Sequence, residues 1–413
     1  MTTRFEIARL GAHGDGVVDA NGGHIFIPFA LPGETVTAAR DKDRAQLISV
    51  LEPSPQRIDP ACRHFTECGG CAIQHLEDQA YREWKRGLVA HALKGRGIDV
   101  AVGELVACPQ HSRRRAAFTA RNTETGLHLG YNKAFSHTLV DIEECPVLVP
   151  AIVEAAGTLR HLAGIIANTS KPFRFLVTAT ESGFDVAASD CGKPTEAIRR
   201  AATDFAIKSK IARLSIDGEI IVEPVKPMLT FGAATVSPPP GAFVQAVAEA
   251  EGAMVSLVTG HMRKARKVAD LFSGCGTFAL RLAAGAEVHA VEGEAPALAA
   301  LDRGFRFASG LKRVTVERRD LDRRPLTFKE LNAFDGIVFD PPRAGAEDQS
   351  KQIARSDVPY VAAVSCNPAT LARDLRILID GGYALKSVVP IDQFLWSHHV
   401  EAVALLEKPK KRR

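Results

Sequence analysis

The sequence predicts a multidomain α/β protein: a small N-terminal β-barrel, an α+β middle region and a C-terminal doubly wound α/β sheet. Three observations carry this expectation. The chain has 413 residues, which is about three domains at roughly 150 residues each. Short β-rich runs broken by glycine and proline fill residues 4–52, the pattern of a small barrel. From about residue 236, apolar strand-like runs alternate with helical stretches, as in a sheet with helices on both faces.

The elements follow in chain order. Phe5 and Ile7 start a strand, and Gly11, Gly14 and Gly16 form a turn before Val17. Ile25-Phe26-Ile27 and Thr35-Val36-Thr37-Ala38 are further strands, with Pro32-Gly33 between them. This first unit is assigned to residues 1–53. Pro53, Pro55 and Pro60 mark a linker. Residues 77–97 read as a helix, because Tyr81, Trp84, Leu88 and Ala92 are spaced by three and four and Gly95 and Gly97 can close it. Strand-like runs such as Phe173–Thr178 and Glu219–Val222 alternate with helical stretches up to residue 235, without a catalytic signature. The second unit is therefore 54–235. Ser237-Pro238-Pro239-Pro240-Gly241 is a break. Beyond it the pattern predicts helices over 243–260, 276–284, 295–309, 349–356 and 369–379. Strands are predicted over 268–272, 287–292, 313–317, 334–339 and 360–365. The third unit is 236–408, followed by a basic tail, 409–413.

Hydrophobic residues are 46% and charged residues 24%, a globular composition. Lys and Arg number 52 against 48 Asp and Glu, so the net charge of +4 excludes a polybasic protein but leaves room for local patches. Such patches are Arg113-Arg114-Arg115 with Arg121, then Arg263, Lys264, Arg266 and Lys267, and the tail Lys408–Arg413. Several of them in one chain point to phosphate contacts with a nucleic acid. No run reaches the ~18 apolar residues of a membrane span, and the N-terminus lacks the apolar stretch of a signal peptide. The expectation is a cytoplasmic protein with no membrane partner and reduced cysteines. Of eight cysteines, Cys62, Cys68 and Cys71 are clustered, and Cys145 follows in Glu143-Glu144-Cys145-Pro146. Four thiolates suit zinc or an iron–sulfur cluster, and spacing does not choose between them.

Asp270-Leu271-Phe272-Ser273-Gly274-Cys275-Gly276 reads as strand, glycine loop and helix, and Glu292 ends the next strand. The glycines let backbone approach a ligand, and a carboxylate at that place can accept ribose hydroxyls. Gly274-x-Gly276-x-x-Ala279 also fits a dinucleotide fingerprint, so the loop alone does not separate NAD from S-adenosylmethionine (SAM). Asp270 and the downstream motifs favour SAM. Asp340-Pro341-Pro342-Arg343 must turn out of the sheet, because proline cannot extend a central strand. That turn lies at the carboxyl edge, where ligands bind. Cys366, in Ser365-Cys366-Asn367-Pro368, ends the next apolar strand before a helix, a placement suited to a nucleophile. A helix N-terminus and cationic neighbours are expected to lower its thiol pKa. Glu401, in His398-His399-Val400-Glu401, stands at a strand start; from spacing alone it reads as a surface carboxylate.

Phe243-Val244-Gln245, the Asp270–Phe278 loop, Val291-Glu292-Gly293 and the Asp340, Cys366 and Glu401 motifs occur in one order. As an ordered set they resemble the RNA uracil-C5 (5-methyluridine) methyltransferase family. The resemblance implies a Rossmann-like class I SAM-dependent domain with Cys366 as nucleophile on uracil C6 and Glu401 as the base that removes the C5 proton. It implies SAM contacts at Gln245, Phe272, Glu292 and Asp340, and RNA contacts at Phe243, beside a flipped base, and Arg343. The chain departs from the family pattern at Phe272, Thr277 and Ala246-Val247, where tyrosine and two asparagines are usual. Residues 4–52 look like the TRAM barrel, an oligonucleotide-binding type. Similarity to the 23S ribosomal RNA members implies a [4Fe-4S] cluster on Cys62, Cys68, Cys71 and Cys145, with zinc as the alternative. The expected enzyme is a monomer that methylates structured RNA, 23S ribosomal RNA first. Other readings are a transfer-RNA uridine-C5 methyltransferase, an amine methyltransferase that leaves Cys366 idle, a non-catalytic RNA-binding iron–sulfur protein and an NAD oxidoreductase.

Overall fold

The computed structural model describes residues 2–20, 23–134 and 136–409. Residues 410–413 of the basic tail lie outside the described residues.

The first sheet comprises β1 (Thr2–Glu6), β2 (Arg9–Leu10), β3 (Gly16–Ala20), β4 (Gly23–Ile27), β5 (Thr35–Asp41) and β6 (Arg44–Glu52), in the order β1-β5-β6-β4-β3-β2. β1 and β2 are two halves of one segment, so the sheet closes on itself. The corner is held where Ile7 N donates to Glu34 O and Ala8 N to Val17 O, both at 2.9 Å. Ile7, Ile25, Ile27, Val36 and Ala38 fill the interior. Gly16 has no room for a side chain: a Cβ would lie 2.8 Å from Ala30 O.

Helix α1 (Asp78–Lys94) starts where the Glu77 carboxylate accepts the Gln79 and Ala80 N–H groups. Its buried face is Tyr81, Lys85, Val89 and Leu93, one residue per turn.

The middle sheet contains β7 (Arg115–Thr123), β8 (Gly126–Asn132), β9 (Leu139–Asp141), β10 (Phe173–Thr180), β11 (Gly183–Ser189), β12 (Arg213–Ile216) and β13 (Glu219–Val222), ordered β13-β12-β11-β10-β7-β8-β9. Helices α2 (Pro150–Glu154), α3 (Ala156–Ile166) and α4 (Glu196–Lys208) pack against Phe118, Phe175 and Val186. A hairpin, β14 (Leu229–Phe231) and β15 (Ala234–Val236), leads into the last unit.

That unit runs α5 (Ala248–His261), β16 (Lys267–Leu271), α6 (Ala279–Leu282), β17 (Glu287–Glu292), α7 (Ala295–Phe307), β18 (Val314–Arg318), α8 (Phe328–Leu331), β19 (Gly336–Phe339), α9 (Glu347–Arg355), β20 (Tyr360–Ser365), α10 (Pro368–Asp380), β21 (Ala384–Ile391) and β22 (Glu401–Glu407). The sheet order is β18-β17-β16-β19-β20-β22-β21. β16 to β20 are parallel, and β22 is antiparallel to both of its neighbours. The chain reverses direction across the sheet between β16 and β19, and a cleft opens at the carboxyl ends of such a pair. One apolar core lies on each face. The β14–β15 hairpin joins the first core through Leu229, Phe231 and Val236, and Val89 and Leu93 of α1 join the second.

The fold departs locally from the sequence expectation. The helix predicted from 243 starts only at Ala248, because residues 243–247 are held extended from two sides: Arg114 N donates to Ala246 O at 2.8 Å and Ala246 N donates to Gln393 Oε1 at 3.0 Å. The helix predicted over 276–284 shrinks to Ala279–Leu282. No described helix is long and apolar enough to cross a membrane.

Candidate active site

Strand register brings the predicted residues to one edge. Leu271 of β16 pairs with Val291 of β17 and with Phe339 of β19, so Phe272, Glu292 and Asp340 leave the sheet at the same level. Phe339 pairs with Ala363 of β20, which puts Cys366 just beyond that level. Ser365 pairs with Ala402, and one further step along the antiparallel register sets Cys366 beside Glu401.

The glycine loop is tightly turned. Phe272 has φ of 60°, a left-handed conformation that costs a non-glycine residue about 1–3 kcal/mol. Gly276 has φ of 98°, and a Cβ there would lie 2.8 Å from Leu301 Cγ. At Gly274 a Cβ would meet nothing within 4 Å, so the loop backbone faces open space. Glu292 Oε2 accepts the Gly274 N–H at 2.9 Å and Oε1 accepts the Glu294 N–H at 2.8 Å. Asp270 is fully buried, and that burial pushes its carboxyl well above the usual range.

A buried line of side chains joins three of the motifs. Gln245 Nε2 donates to Asp340 Oδ2 at 3.0 Å, and Gln393 Nε2 donates to Gln245 Oε1 at 2.8 Å and to Glu401 Oε2 at 3.1 Å. Glu401 Oε1 is buried without a hydrogen-bond partner. Glu401 is 3% exposed, which corrects its reading as a surface carboxylate: β22 is an internal strand, so its first residue is covered by its neighbours. Burial pushes Asp340 up to about 7, against the bond from Gln245. Burial and the Asp340 charge push Glu401 well above the carboxylate range. The Cys366 thiol is pushed up to about 11, first by burial and then by the Glu401 and Asp340 charges, against Arg343. The sequence reading expects a lowered thiol pKa; the carboxylates are remote in sequence, and their proximity outweighs the single cation. When both acids carry protons, that repulsion disappears.

Arg343 and Cys366 are linked through the loops. The Arg343 carbonyl accepts Asn367 Nδ2 at 3.0 Å, and Asn367 Oδ1 accepts the Ala369 N–H that starts α10. The Arg343 guanidinium lies 3.3 Å from His399 Nδ1. Phe243 is 67% exposed, with the Arg115 guanidinium 5.7 Å above its ring. In the basic run, Arg114 is structural: it pairs with Glu251 at 2.8 Å and donates to Gln245 O. Sequence reasoning missed Gln393, Asp392 and Lys85 as parts of this region. Only the adjacency of residues 392–393 to the Glu401 motif could have flagged the first two, and no sequence signal marked Lys85.

Comparison with known proteins bears on these residues together. A family model described as tRNA (Uracil-5-)-methyltransferase matches residues 308–409. An uncharacterized RNA methyltransferase of Mesorhizobium japonicum is 65% identical over all of both chains. The 23S rRNA (uracil(1939)-C(5))-methyltransferase RlmD of Halomonas elongata is 32% identical, covering 98% of this chain and 90% of its own. This chain belongs to the RNA uracil-C5 methyltransferase family. The crystal structure of Pyrococcus abyssi tRNA (uracil-54, C5)-methyltransferase in complex with S-adenosyl-L-homocysteine shares its fold, with a TM-score of 0.77, 24% identity and coverage of 98% and 99%.

In this methyltransferase the four cysteines line one cavity of about 250 Å3, together with Gln74, Tyr131, Phe394 and His399. Cys145 is brought in from far along the chain: Arg63 N donates to Glu144 Oε1 at 2.6 Å, and Glu143 N donates to His64 Nε2 at 3.0 Å. Burial raises all four thiols, Cys71 to about 12. Among the described residues no three His, Cys, Asp or Glu side chains form a group that could hold a metal ion. Cys108, Cys191 and Cys275 are buried elsewhere.

Proposed function

We propose that this methyltransferase forms 5-methyluridine in structured RNA, with 23S ribosomal RNA as substrate and SAM as methyl donor. The observation that carries the reading is the register that sets Cys366 beside Glu401 at the same sheet edge as Asp340. The Halomonas RlmD likeness over nearly the whole chain supports the ribosomal substrate.

The Cys366 thiolate adds to uracil C6, and the C5–C6 electron pair moves onto O4 as an enolate. SAM, when bound, supplies an electrophilic methyl group for C5. Glu401 then takes the C5 proton at its unpartnered Oε1, the pair returns to the ring and the C6–S bond breaks. Gln245, Phe272, Glu292 and Asp340 hold SAM: the open face at Gly274 and the Glu292 carboxylate beside it suit a ribose. Phe243 stacks on the flipped base, which its exposure allows, and Arg343 contacts the RNA.

The chain is proposed to divide near residues 53 and 236, with a TRAM-type barrel first, an RNA-binding middle unit and the methyltransferase domain last. Cys62, Cys68, Cys71 and Cys145 are proposed as ligands of a [4Fe-4S] cluster. One shared cavity supports this, and the likeness to the 23S ribosomal RNA methyltransferase favours the cluster over zinc, which four thiolates would also suit. A monomer in the reducing cytoplasm is consistent with that assignment.

Transfer RNA is the second reading, favoured by the description of the family that matches residues 308–409. Mass-spectrometric mapping of 5-methyluridine in both RNA classes from a deletion strain separates the two. A missing methyl in 23S RNA supports the proposal, and a missing methyl in transfer RNA alone refutes it.

A further inference from the structure

The segment between β21 and β22 carries the strongest unassigned polar cluster in the protein. Asp392 is 1% exposed and receives Lys85 Nζ at 2.8 Å and the Tyr81 hydroxyl at 2.6 Å, both from α1. Lys85 is itself completely buried. Its ammonium also donates to Phe394 O at 3.0 Å and to His399 O, so its three hydrogens fasten three points of one loop. Trp396 N donates to the Tyr81 oxygen at 2.8 Å, on a residue with φ of 57°. A buried ion pair is an inefficient way to stabilise a fold, because desolvation offsets most of the attraction. Its value here is geometric.

What the loop carries is Gln393. Its amide makes three hydrogen bonds: Oε1 accepts the Ala246 N–H, and Nε2 donates to Gln245 and to Glu401. The bond to Oε2 orients the Glu401 carboxylate and leaves Oε1 buried without a partner. The bond to Gln245 continues to Asp340, so the carboxylate has a fixed place relative to the other end of the site.

We propose that Gln393 is a positioning residue of the methylation reaction, acting through Glu401, and that the buried Lys85–Asp392 pair holds it in place. This rests on the reading in which Glu401 removes the C5 proton. Proton removal is sensitive to placement, and a 1 Å error can cost about a hundredfold. Attack by Cys366 and methyl transfer do not use the Glu401 carboxylate. Loss of Gln393 therefore slows release of the enzyme from methylated RNA more than it slows formation of the bond to it.

The test uses the full-length enzyme, an unmodified 23S ribosomal RNA transcript and radiolabelled SAM under single-turnover conditions. Gln393→Met keeps the side-chain length and removes all three hydrogen bonds. With SAM at saturation, it is expected to slow RNA release about a hundredfold more than it slows methyl transfer and to accumulate an RNA–protein adduct stable on a denaturing gel. Lys85→Met alone leaves an unpaired buried carboxylate, so Lys85→Met/Asp392→Leu is used with it. That double variant is expected to fold with a lowered melting temperature, because the Phe394 and His399 carbonyls lose their donor, and to show the same adduct. Glu401→Gln is the control. If Glu401→Gln traps adduct while Gln393→Met releases RNA at the wild-type rate, this inference is overturned and the functional reading stands. If Glu401→Gln itself releases RNA normally, the functional reading fails.

Discussion

Replacement of Glu401 by glutamine separates the chemistry of this site from its architecture. In the folded enzyme Glu401 Oε2 accepts a bond of 3.1 Å from Gln393, and Oε1 is buried without a partner. A glutamine can turn its carbonyl oxygen toward Gln393 and keep that bond. The change from a charged to a neutral acceptor costs about 1 kcal/mol. Against that, burial and the Asp340 charge already disfavour the Glu401 carboxylate, so removing the charge works in the opposite direction. The variant should melt within a few degrees of wild type. Its chemistry should change far more. Loss of a general base costs about 10²–10⁴ in rate, equivalent to roughly 3–5 kcal/mol at 1.36 kcal/mol per decade. That loss falls on proton removal alone, so Cys366 should stay bonded to C6 of the methylated base. The assay is a single-turnover reaction read two ways, as methyl groups incorporated and as protein retained on RNA in a denaturing gel. Near-complete incorporation with retained protein is the expected result. Wild-type turnover without adduct would refute the assignment of Glu401.

Cys366→Ala should abolish 5-methyluridine formation while calorimetry still detects SAM binding; any product would exclude a covalent mechanism through this thiol. Asp340 is held protonated to about pH 7 in the folded state, against 3.8 for its ordinary value. The folded chain therefore holds a proton that the unfolded chain has lost, and stability should fall as pH rises through that window. Asp340→Asn should flatten that part of the denaturation profile, and an unchanged slope would exclude Asp340 as its source. Gly276→Ala should destabilise by about 1–3 kcal/mol through overpacking against Leu301 and Leu280, and should weaken SAM binding in the same titration. Cys145→Ser should remove iron and brown colour from anaerobically purified protein; full iron retention would exclude Cys145 as a ligand.

Much of the last unit was legible because parallel strands are buried on both faces and read as continuous apolar runs, such as Val361–Val364. The strand predicted over 360–365 is β20 as found, and the helix predicted over 369–379 is α10 with one residue more at each end. The helix predicted from 243 failed because local propensity was overridden by distant partners, the Arg114 backbone and Gln393, which hold residues 243–247 extended. Glu401 is instructive in the same way. Its spacing reads as solvent-facing, and only the placement of β22 between β20 and β21 buries it.

The sequence by itself determined the strand–loop–helix order, the residue types at each strand end and the clustering of the cysteines, because hydrophobic period and turn chemistry are local properties. The tertiary structure decided which of these residues meet. It buried Cys366 and set it near Glu401 and Asp340, which together raise the thiol pKa where local reasoning lowers it. It brought Cys145 to the other three cysteines across the chain. It also joined Lys85 to Asp392 over a separation of 307 residues. Electrostatic coupling and hydrogen bonding act over a few ångströms of space, and strand register, not sequence distance, determines which groups come that close.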